Sequence, residues 1–224
     1  MTDVVTIARR YRGPLDSGNG GYVAGVLAAR LGRSAEVTLR LPPPLERPLE
    51  VRRDDARLLL LDGDLLVAEA VAGELALEPP EPPAADVAAA ASRGVGAFGP
   101  GRFAECFVCG ERSDGSGLGI HPGPVPGRDG LLATTWVARE VSPEVVWASI
   151  DCPGAYALGD AGRGEPVLGR ITARVERLPD EGEPCVVAGW QLGEDGRKLH
   201  AGTALYGREG DVVALARQVW ILPR

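Results

Sequence analysis

Two parts of this 224-residue chain run through the same order of predicted elements, and this repetition limits the possible folds more than any single motif does. In each part a strand precedes a glycine-containing helix start, and several strand-like runs follow the helix. Gly21 and Gly154 stand at the two helix starts, 133 residues apart, and the Asp-Gly pairs at 62–63 and 195–196 keep the same offset. This spacing is too long for a solenoid, so we predict a tandem pair of similar domains.

A segment that is rich first in Pro and Glu, then in Ala and finally in Gly separates the two parts, and this composition is typical of a linker. We therefore predict an N-terminal repeat at 1–78, a linker at 79–103 with a short helix near 84–92, and a C-terminal repeat at 104–224. The remaining predicted elements are strands at 3–11, 35–41, 49–63 and 65–77 with a helix at 16–32, then strands within 130–150 and at 167–178, 183–196, 198–207 and 211–222 with a helix that begins within 151–161.

Composition excludes several classes of protein. The net charge is -7 and the chain has no basic tract, so neither nucleic acid nor an anionic membrane is an expected partner. The N-terminus lacks the apolar core of a signal peptide, and no apolar run approaches the roughly 18 residues that a bilayer span requires. We therefore expect a cytoplasmic protein whose four cysteines stay reduced.

Five stretches of the sequence carry a resemblance to a known family. They are "NGGYVAGVLAARL" (19–31), "VTLRL" with the following "PPPLERPLEV", "LLVAEAVAGEL", "CFVCGERSDGSGLGIHPGPV" (106–125) and "VWASIDCPGAYAL". The first is similar to the "HGG" or "NGG" helix start of double-hotdog acyl-CoA thioesterases. The fourth resembles the "C-F-x-C-G-x-x-N-x-x-G-L" opening of PaaI-like hotdog thioesterases, with Asp114 or Gly115 where that motif has Asn.

The resemblance implies an α+β fold, a tandem (double) hotdog with two antiparallel sheets that each wrap a central helix. It also implies hydrolysis of an acyl-CoA or acyl-carrier thioester, without a metal or redox cofactor, in a protein that forms a homodimer. Three alternatives stay open: a non-catalytic acyl-CoA-binding or regulatory protein, a hotdog dehydratase, and a structural partner protein whose Gly-rich helix starts only pack. The dehydratase alternative is weak because the sequence lacks the Asp/His pairing usual in those enzymes.

Thioester hydrolysis needs hydrogen-bond donors for the carbonyl oxygen, and helix N-termini offer unpaired N–H groups there. Gly20 and Gly21, or Gly154 and Ala155, are therefore candidates for an oxyanion hole, since glycine lets a ligand approach closely. The alternative for Gly20-Gly21 is that the glycines only permit tight packing at the helix entrance.

The reaction also needs a group that activates water. By resemblance to PaaI-like enzymes, Asp160 matches the helix aspartate that acts as base or nucleophile, whereas Asp151 is placed to direct water at a carbonyl held by the opposing helix. The alternatives are that Asp151 is an N-cap and Asp160 a solvated helix end. Asn19 is a candidate either to cap the first helix or to bind the thioester carbonyl.

Arg170 and Arg174 alternate with apolar residues on a predicted strand. Arginine suits the phosphates of CoA, so these two are candidate CoA-binding residues, and an exposed strand face is the alternative.

Cys106, Cys109 and His121 have the spacing of metal ligands, but a structural zinc site usually has a second close pair. Cys152 and Cys185 stand alone in the sequence, and His200 and Asp114 complete a set only poorly. We therefore expect no metal and assign the cysteines to packing.

Overall fold

The computed structural model describes residues 3–32, 34–98, 101–159 and 164–223. Its strands are β1 (Asp3–Thr6), β2 (Ser34–Leu39), β3 (Pro48–Asp54), β4 (Arg57–Asp62), β5 (Leu65–Ala72), β6 (Gly123–Pro124), β7 (Leu131–Val137), β8 (Val167–Val175), β9 (Pro184–Asp195), β10 (Lys198–Tyr206) and β11 (Val212–Ile221). Its α-helices are α1 (Gly20–Ala28), α2 (Ala85–Ala91), α3 (Pro143–Ser149) and α4 (Cys152–Leu158).

All the strands belong to one antiparallel sheet, in the order β1-β3-β4-β5-β2-β8-β11-β10-β9-β7-β6. The two sheets expected from the resemblance are joined edge to edge, and the described strands form one continuous sheet of 11 strands. The two halves join where β2 pairs with β8, with Ser34 opposite Arg174 and Thr38 opposite Arg170. Each strand here supplies the backbone partners that the other would lack as a free sheet edge.

The two halves of the sheet have the same topology. The first half reads β1-β3-β4-β5-β2 and the second reads β7-β9-β10-β11-β8, so the first strand pairs with the third and the last lies beside the second. The constant 133-residue offset fails at the turns, however. The Asp62-Gly63 turn joins β4 to β5, the fourth and fifth strands of its half, whereas Asp195-Gly196 joins β9 to β10, the third and fourth. Duplication of the chain remains a prediction.

The segment 143–149 is helical, although the sequence pattern suggested strands through 130–150. Ser142 caps α3 by accepting a hydrogen bond of 3.3 Å from the Val145 N–H, and Pro143 occupies the first helical position. Proline is favoured there because its fixed φ fits the helix and its missing N–H needs no partner. This start signal outweighed the β-branched valines that favoured a strand.

Helix α1 of the first half packs directly on α3 of the second half. A Cβ atom at Gly25 would lie 2.6 Å from the Glu144 Cα, and one at Gly21 would lie 2.7 Å from the Trp147 carbonyl oxygen. The two glycines, one helical turn apart, therefore set how closely the helices approach. This supports the packing role considered for Gly21.

The segment between the halves covers the outer face of the second half of the sheet. Its helix α2 contacts β6, β7 and β9, and the Tyr206 hydroxyl donates a hydrogen bond of 2.6 Å to the Pro80 carbonyl. The buried residues of this small outer core are Leu75, Ala88, Val125, Leu131, Ala133, Val186, Ala188, Ala204, Tyr206 and Leu215. The main core lies on the other face, where α1, α3 and α4 pack. None of the helices in the described ranges combines the length and the apolar character that crossing a bilayer requires.

Candidate active site

A cavity of about 270 Å³ lies where the two halves meet. Its walls come from both halves: the N-terminal end of α1, the residues after β2, the start of α4 and the ends of β8 and β11. The lining residues are Gly13, Pro14, Ser17, Gly18, Asn19, Gly20, Leu39, Arg40, Leu41, Pro42, Pro43, Arg102, Phe103, Cys106, Asp151, Cys152, Val167, Leu168, Gly169, Trp220 and Ile221. This lining is mostly apolar with few polar groups, as in typical small-molecule sites.

Among the described residues, Asp151 supplies the one carboxylate of this lining. The residue is only 2% exposed. Its Oδ2 accepts hydrogen bonds from the Asn19 Nδ2 at 2.8 Å and from the Gly21 N–H at 2.9 Å. Its Oδ1 has no hydrogen-bond partner among the residues that the structure describes. The carboxylate is thus held by one oxygen on the opposing helix, and its other oxygen is buried without such a partner.

Asp151 stands at the N-cap position of α4, but its side chain makes no capping hydrogen bond. The plain N-cap alternative therefore does not describe it. Burial raises the pKa of Asp151 to about 7, and the hydrogen bond from Gly21 opposes that rise.

Asn19 holds the start of α1 and the carboxylate together. Its Oδ1 accepts the Tyr22 N–H at 2.9 Å, which is the capping role anticipated from the sequence. Its Nδ2 donates to Asp151 from the same planar amide. Because the cap fixes the side chain, the donor that faces Asp151 is fixed as well.

Side chains from β10 and β11 fix the backbone around Asp151. Gln218 is fully buried and donates to the carbonyl oxygens of Ile150 and of Asp151, the latter at 3.0 Å. Thr203 donates to the same Ile150 carbonyl at 2.7 Å. The Trp220 Nε1 donates to the Gln218 Oε1 at 2.7 Å, which leaves the Gln218 amide one orientation.

The glycines expected to form an oxyanion hole differ in what their N–H groups do. The N–H of Gly21 is bound to Asp151, and that of Gly154 is bound to the Asp151 carbonyl at 3.1 Å. Gly21, Gly154 and Ala155 lie outside the cavity lining. The N–H of Gly20, at the first position of α1, has no acceptor among the residues the structure describes, and Gly20 lines the cavity.

The remaining candidates lie elsewhere. Asp160 is outside the described residues. Arg170 and Arg174 are on β8 outside the cavity lining, and they form ion pairs with Glu36 and Glu176, respectively.

Sequence reasoning missed two arginines that do line the cavity, Arg40 and Arg102. Arg40 forms an ion pair with Glu69, whereas exposed Arg102 pairs with no acidic group in the described part of the chain. Arg102 was not recognisable as a cavity residue because it lies in the Gly-rich part of the predicted linker.

The structure also joins cysteines that the sequence left separate. The Cys106 and Cys152 sulfurs are 3.7 Å apart, and Cys109 lies beside them. Both histidines of the chain are described, and neither lines the cavity. The Nε2 of His121 lies 3.0 Å from the Cys109 carbonyl oxygen, and His200 is on β10.

No family model matches the chain, and no curated protein matches it. Solved structures match it over nearly its full length. A putative thioesterase from Novosphingobium aromaticivorans has a TM-score of 0.67 at 14% identity, with 99% of this chain and 95% of that chain covered. The tesB protein of Mycobacterium avium subs paratuberculosis has a TM-score of 0.64 at 14% identity, with coverages of 99% and 92%. A dehydratase domain of a mycocerosic acid synthase-like polyketide synthase has a TM-score of 0.62 at 13% identity, with coverages of 99% and 90%.

These similarities show the fold: the chain has a hotdog fold, with its described strands in one sheet. The same fold serves a dehydratase, so the reaction has to be argued from the site.

Proposed function

We propose that this protein hydrolyses an acyl thioester, and that Asp151 activates the attacking water. The observation that carries the proposal is the state of the Asp151 carboxylate. It is buried beside an apolar cavity, and one oxygen is held by Asn19 and Gly21 while the other has no partner in the described part of the chain.

In the proposed reaction, the thioester carbonyl oxygen accepts the N–H of Gly20, with support from the positive end of α1. The Asp151 Oδ1 takes a proton from water as the water oxygen attacks the carbonyl carbon. The C–S bond of the tetrahedral intermediate then breaks, and the thiol leaves with the proton that Asp151 returns. The products are a carboxylic acid and a free thiol.

The cavity lining supports an acyl thioester as the substrate class. Apolar side chains such as Leu39, Leu168 and Trp220 offer contacts for an acyl group. Arg102 is exposed on the lining and offers a cation to the phosphate of CoA or of a carrier-protein arm. We therefore place phosphate binding at Arg102 ahead of Arg170 and Arg174, whose guanidinium groups already pair with carboxylates.

The decisive experiment is a thiol-release assay over a panel of acyl-CoAs with the parent protein, Asp151→Asn and Asp64→Asn. Asparagine keeps the shape of Asp151 but does not accept a proton from water, so we expect turnover to fall by about 10²–10⁴-fold. Asp64 is exposed in the β4–β5 turn, so its variant is the matched control and should keep parental turnover. Parental turnover in Asp151→Asn would contradict the assignment, provided its melting temperature matches the parent.

The same acyl-CoA panel separates the alternatives when binding and enoyl formation are measured beside thiol release. Binding of acyl-CoA without thiol release by the parent would identify a non-catalytic binding protein. Dehydration is supported by the dehydratase-like fold, but no histidine lines this cavity beside Asp151. Conversion of a 3-hydroxyacyl thioester to its enoyl product without thiol release would nevertheless favour that reaction.

A further inference from the structure

We propose that Cys106, Cys109 and Cys152 form a binding site for a soft divalent metal ion, with zinc as the expected ion. The proposal does not depend on thioester hydrolysis. It replaces the packing role that the sequence favoured, because that interpretation rested on the isolation of Cys152 in the chain.

The distances between the sulfurs fit a metal. The three Sγ atoms all lie within 4.8 Å of one another, and those of Cys106 and Cys152 are 3.7 Å apart. Zinc–sulfur bonds of about 2.3 Å in a tetrahedron put the sulfurs about 3.8 Å apart. The cluster therefore needs only small shifts to bind an ion.

A tight turn after Cys106 places the Cys109 sulfur within 4.8 Å of the Cys106 sulfur. The chain turns back on itself after Cys106, with the Gly110 N–H bonded to the Cys106 carbonyl at 2.9 Å. A Cβ atom at Gly110 would overlap the Cys106 backbone, so the turn requires glycine.

The Asn19 amide adds a donor to two of the sulfurs. Its Nδ2 lies 3.9 Å from the Cys106 sulfur and 4.0 Å from the Cys152 sulfur. Three thiolates around a divalent cation leave one net negative charge, and such donors stabilise it in a buried site.

The ligand set determines the class of metal. Sulfur ligands select zinc and other soft ions over magnesium or calcium, which prefer oxygen. Three protein ligands also leave the fourth tetrahedral position to water or to another ligand. Cys106 and Cys152 line the same cavity as Asp151, so a ligand from that cavity is a candidate for the fourth position.

The first test measures metal content and free thiols in protein purified under reducing conditions. We expect about one zinc per chain in the parent. Cys185, which is buried outside the cluster, provides the matched control, and Cys185→Ser should keep its zinc. Cys106→Ser, Cys109→Ser and Cys152→Ser should each bind zinc at least 100-fold more weakly, a larger loss than outer-shell changes produce.

A second measurement covers variants that fail to fold. The parent protein is stripped with a chelator and titrated with cobalt(II), and sulfur-to-cobalt charge-transfer bands that saturate near one equivalent would support the site. Four reactive thiols with no zinc and no such bands would overturn it. A disulfide between Cys106 and Cys152 in freshly purified protein, with no metal after reduction, would also overturn it and would identify a redox pair instead.

Discussion

At the scale of single residues, the site depends on Asn19 performing two tasks with one amide group. Its oxygen caps α1 through Tyr22, and its nitrogen holds Asp151. The two tasks are separable by substitution, because serine also caps helices but has a shorter side chain.

We expect Asn19→Ser to keep most of the stability while turnover falls about tenfold or more, through kcat rather than KM, because Asp151 loses a fixed donor. Asn19→Ala should lose turnover and also roughly 0.5–2 kcal/mol of stability with the cap. Thiol-release kinetics and chemical denaturation of both variants measure these effects. Equal stability losses in the two variants, or full turnover in Asn19→Ser, would argue against this division of roles.

The residue scale is also where the sequence was least informative. Asn19 and Asp151 were recognisable as candidates because each stands beside a helix start. The hydrogen bond between them was not predictable, since it comes from the packing of α1 against α3, and the sequence pattern of α3 favours a strand. Cys152 could not be joined to Cys106 for the same reason: only the folded chain brings the start of α4 to the turn at 106–110.

At the scale of elements, α1 has glycine where it contacts α3, although helix propensity alone would favour alanine there. Glycine inside a helix costs about 1 kcal/mol relative to alanine, so a Gly-to-Ala change in a helix usually stabilises a protein. A Cβ atom added at Gly25 would lie 2.6 Å from the Glu144 Cα, and backbone atoms move little to make room.

We therefore expect Gly25→Ala to lower the free energy of unfolding by about 1–3 kcal/mol, because the added methyl group overpacks the crossing. Gly101→Ala is the control, since a Cβ at Gly101 meets no atom within 4 Å. Urea denaturation compares the two variants with the parent. A stabilised Gly25→Ala would show that the helices can separate without loss.

A second element-scale feature is the turn before β9, where Glu183 is almost enclosed. Its carboxylate accepts hydrogen bonds from Arg177 at 2.7 and 2.9 Å and from the backbone N–H groups of Asp180 and Arg208. The Arg177 hydrogen bonds, followed by those backbone donors, lower the pKa of Glu183 from 4.5 to about 2.

Because this pKa is lower in the folded chain, the stabilisation is fully present above about pH 4.5 and is lost as the pH falls toward 2. We expect Glu183→Gln to be less stable than the parent at pH 7 and to show a smaller decline in stability across that acid range. Glu181→Gln changes an exposed neighbour and should retain the parental pH profile. Denaturation series from pH 2 to pH 7 give both profiles, and coincident profiles for the parent and Glu183→Gln would contradict this role.

Most strands were predictable at this scale, since alternation of apolar and polar residues marks them locally. The linker helix was placed at 84–92 and is found at Ala85–Ala91. The sequence predicts a helix at 16–32, but α1 begins at Gly20 because Asn19 caps it. Asp16 and Ser17 belong to the loop before the helix, and this loop lines the cavity.

At the scale of the whole molecule, the sequence predicts two domains, and the structure shows contacts between the halves from which we infer that they depend on each other. The β2–β8 pairing joins the sheets, and α1 covers α3 of the other half. The segment 79–98 carries α2, which packs on β6, β7 and β9 of the second half. Pairing of this kind depends on three-dimensional edges that local sequence patterns do not encode.

This mutual dependence predicts how the chain behaves when it is divided between residues 78 and 79. Fragment 1–78 would expose the edge of β2 and the apolar face of α1, and a unit of that size buries too little surface to offset the loss. We expect the isolated fragment to show no cooperative unfolding by circular dichroism, and a mixture with fragment 79–224 to recover a transition. A full chain cut after folding, at a protease site inserted between the same two residues, is the control and should stay assembled on a sizing column. Cooperative unfolding of fragment 1–78 alone would instead establish the halves as independent domains. The cavity would then form only when the two folded halves come together.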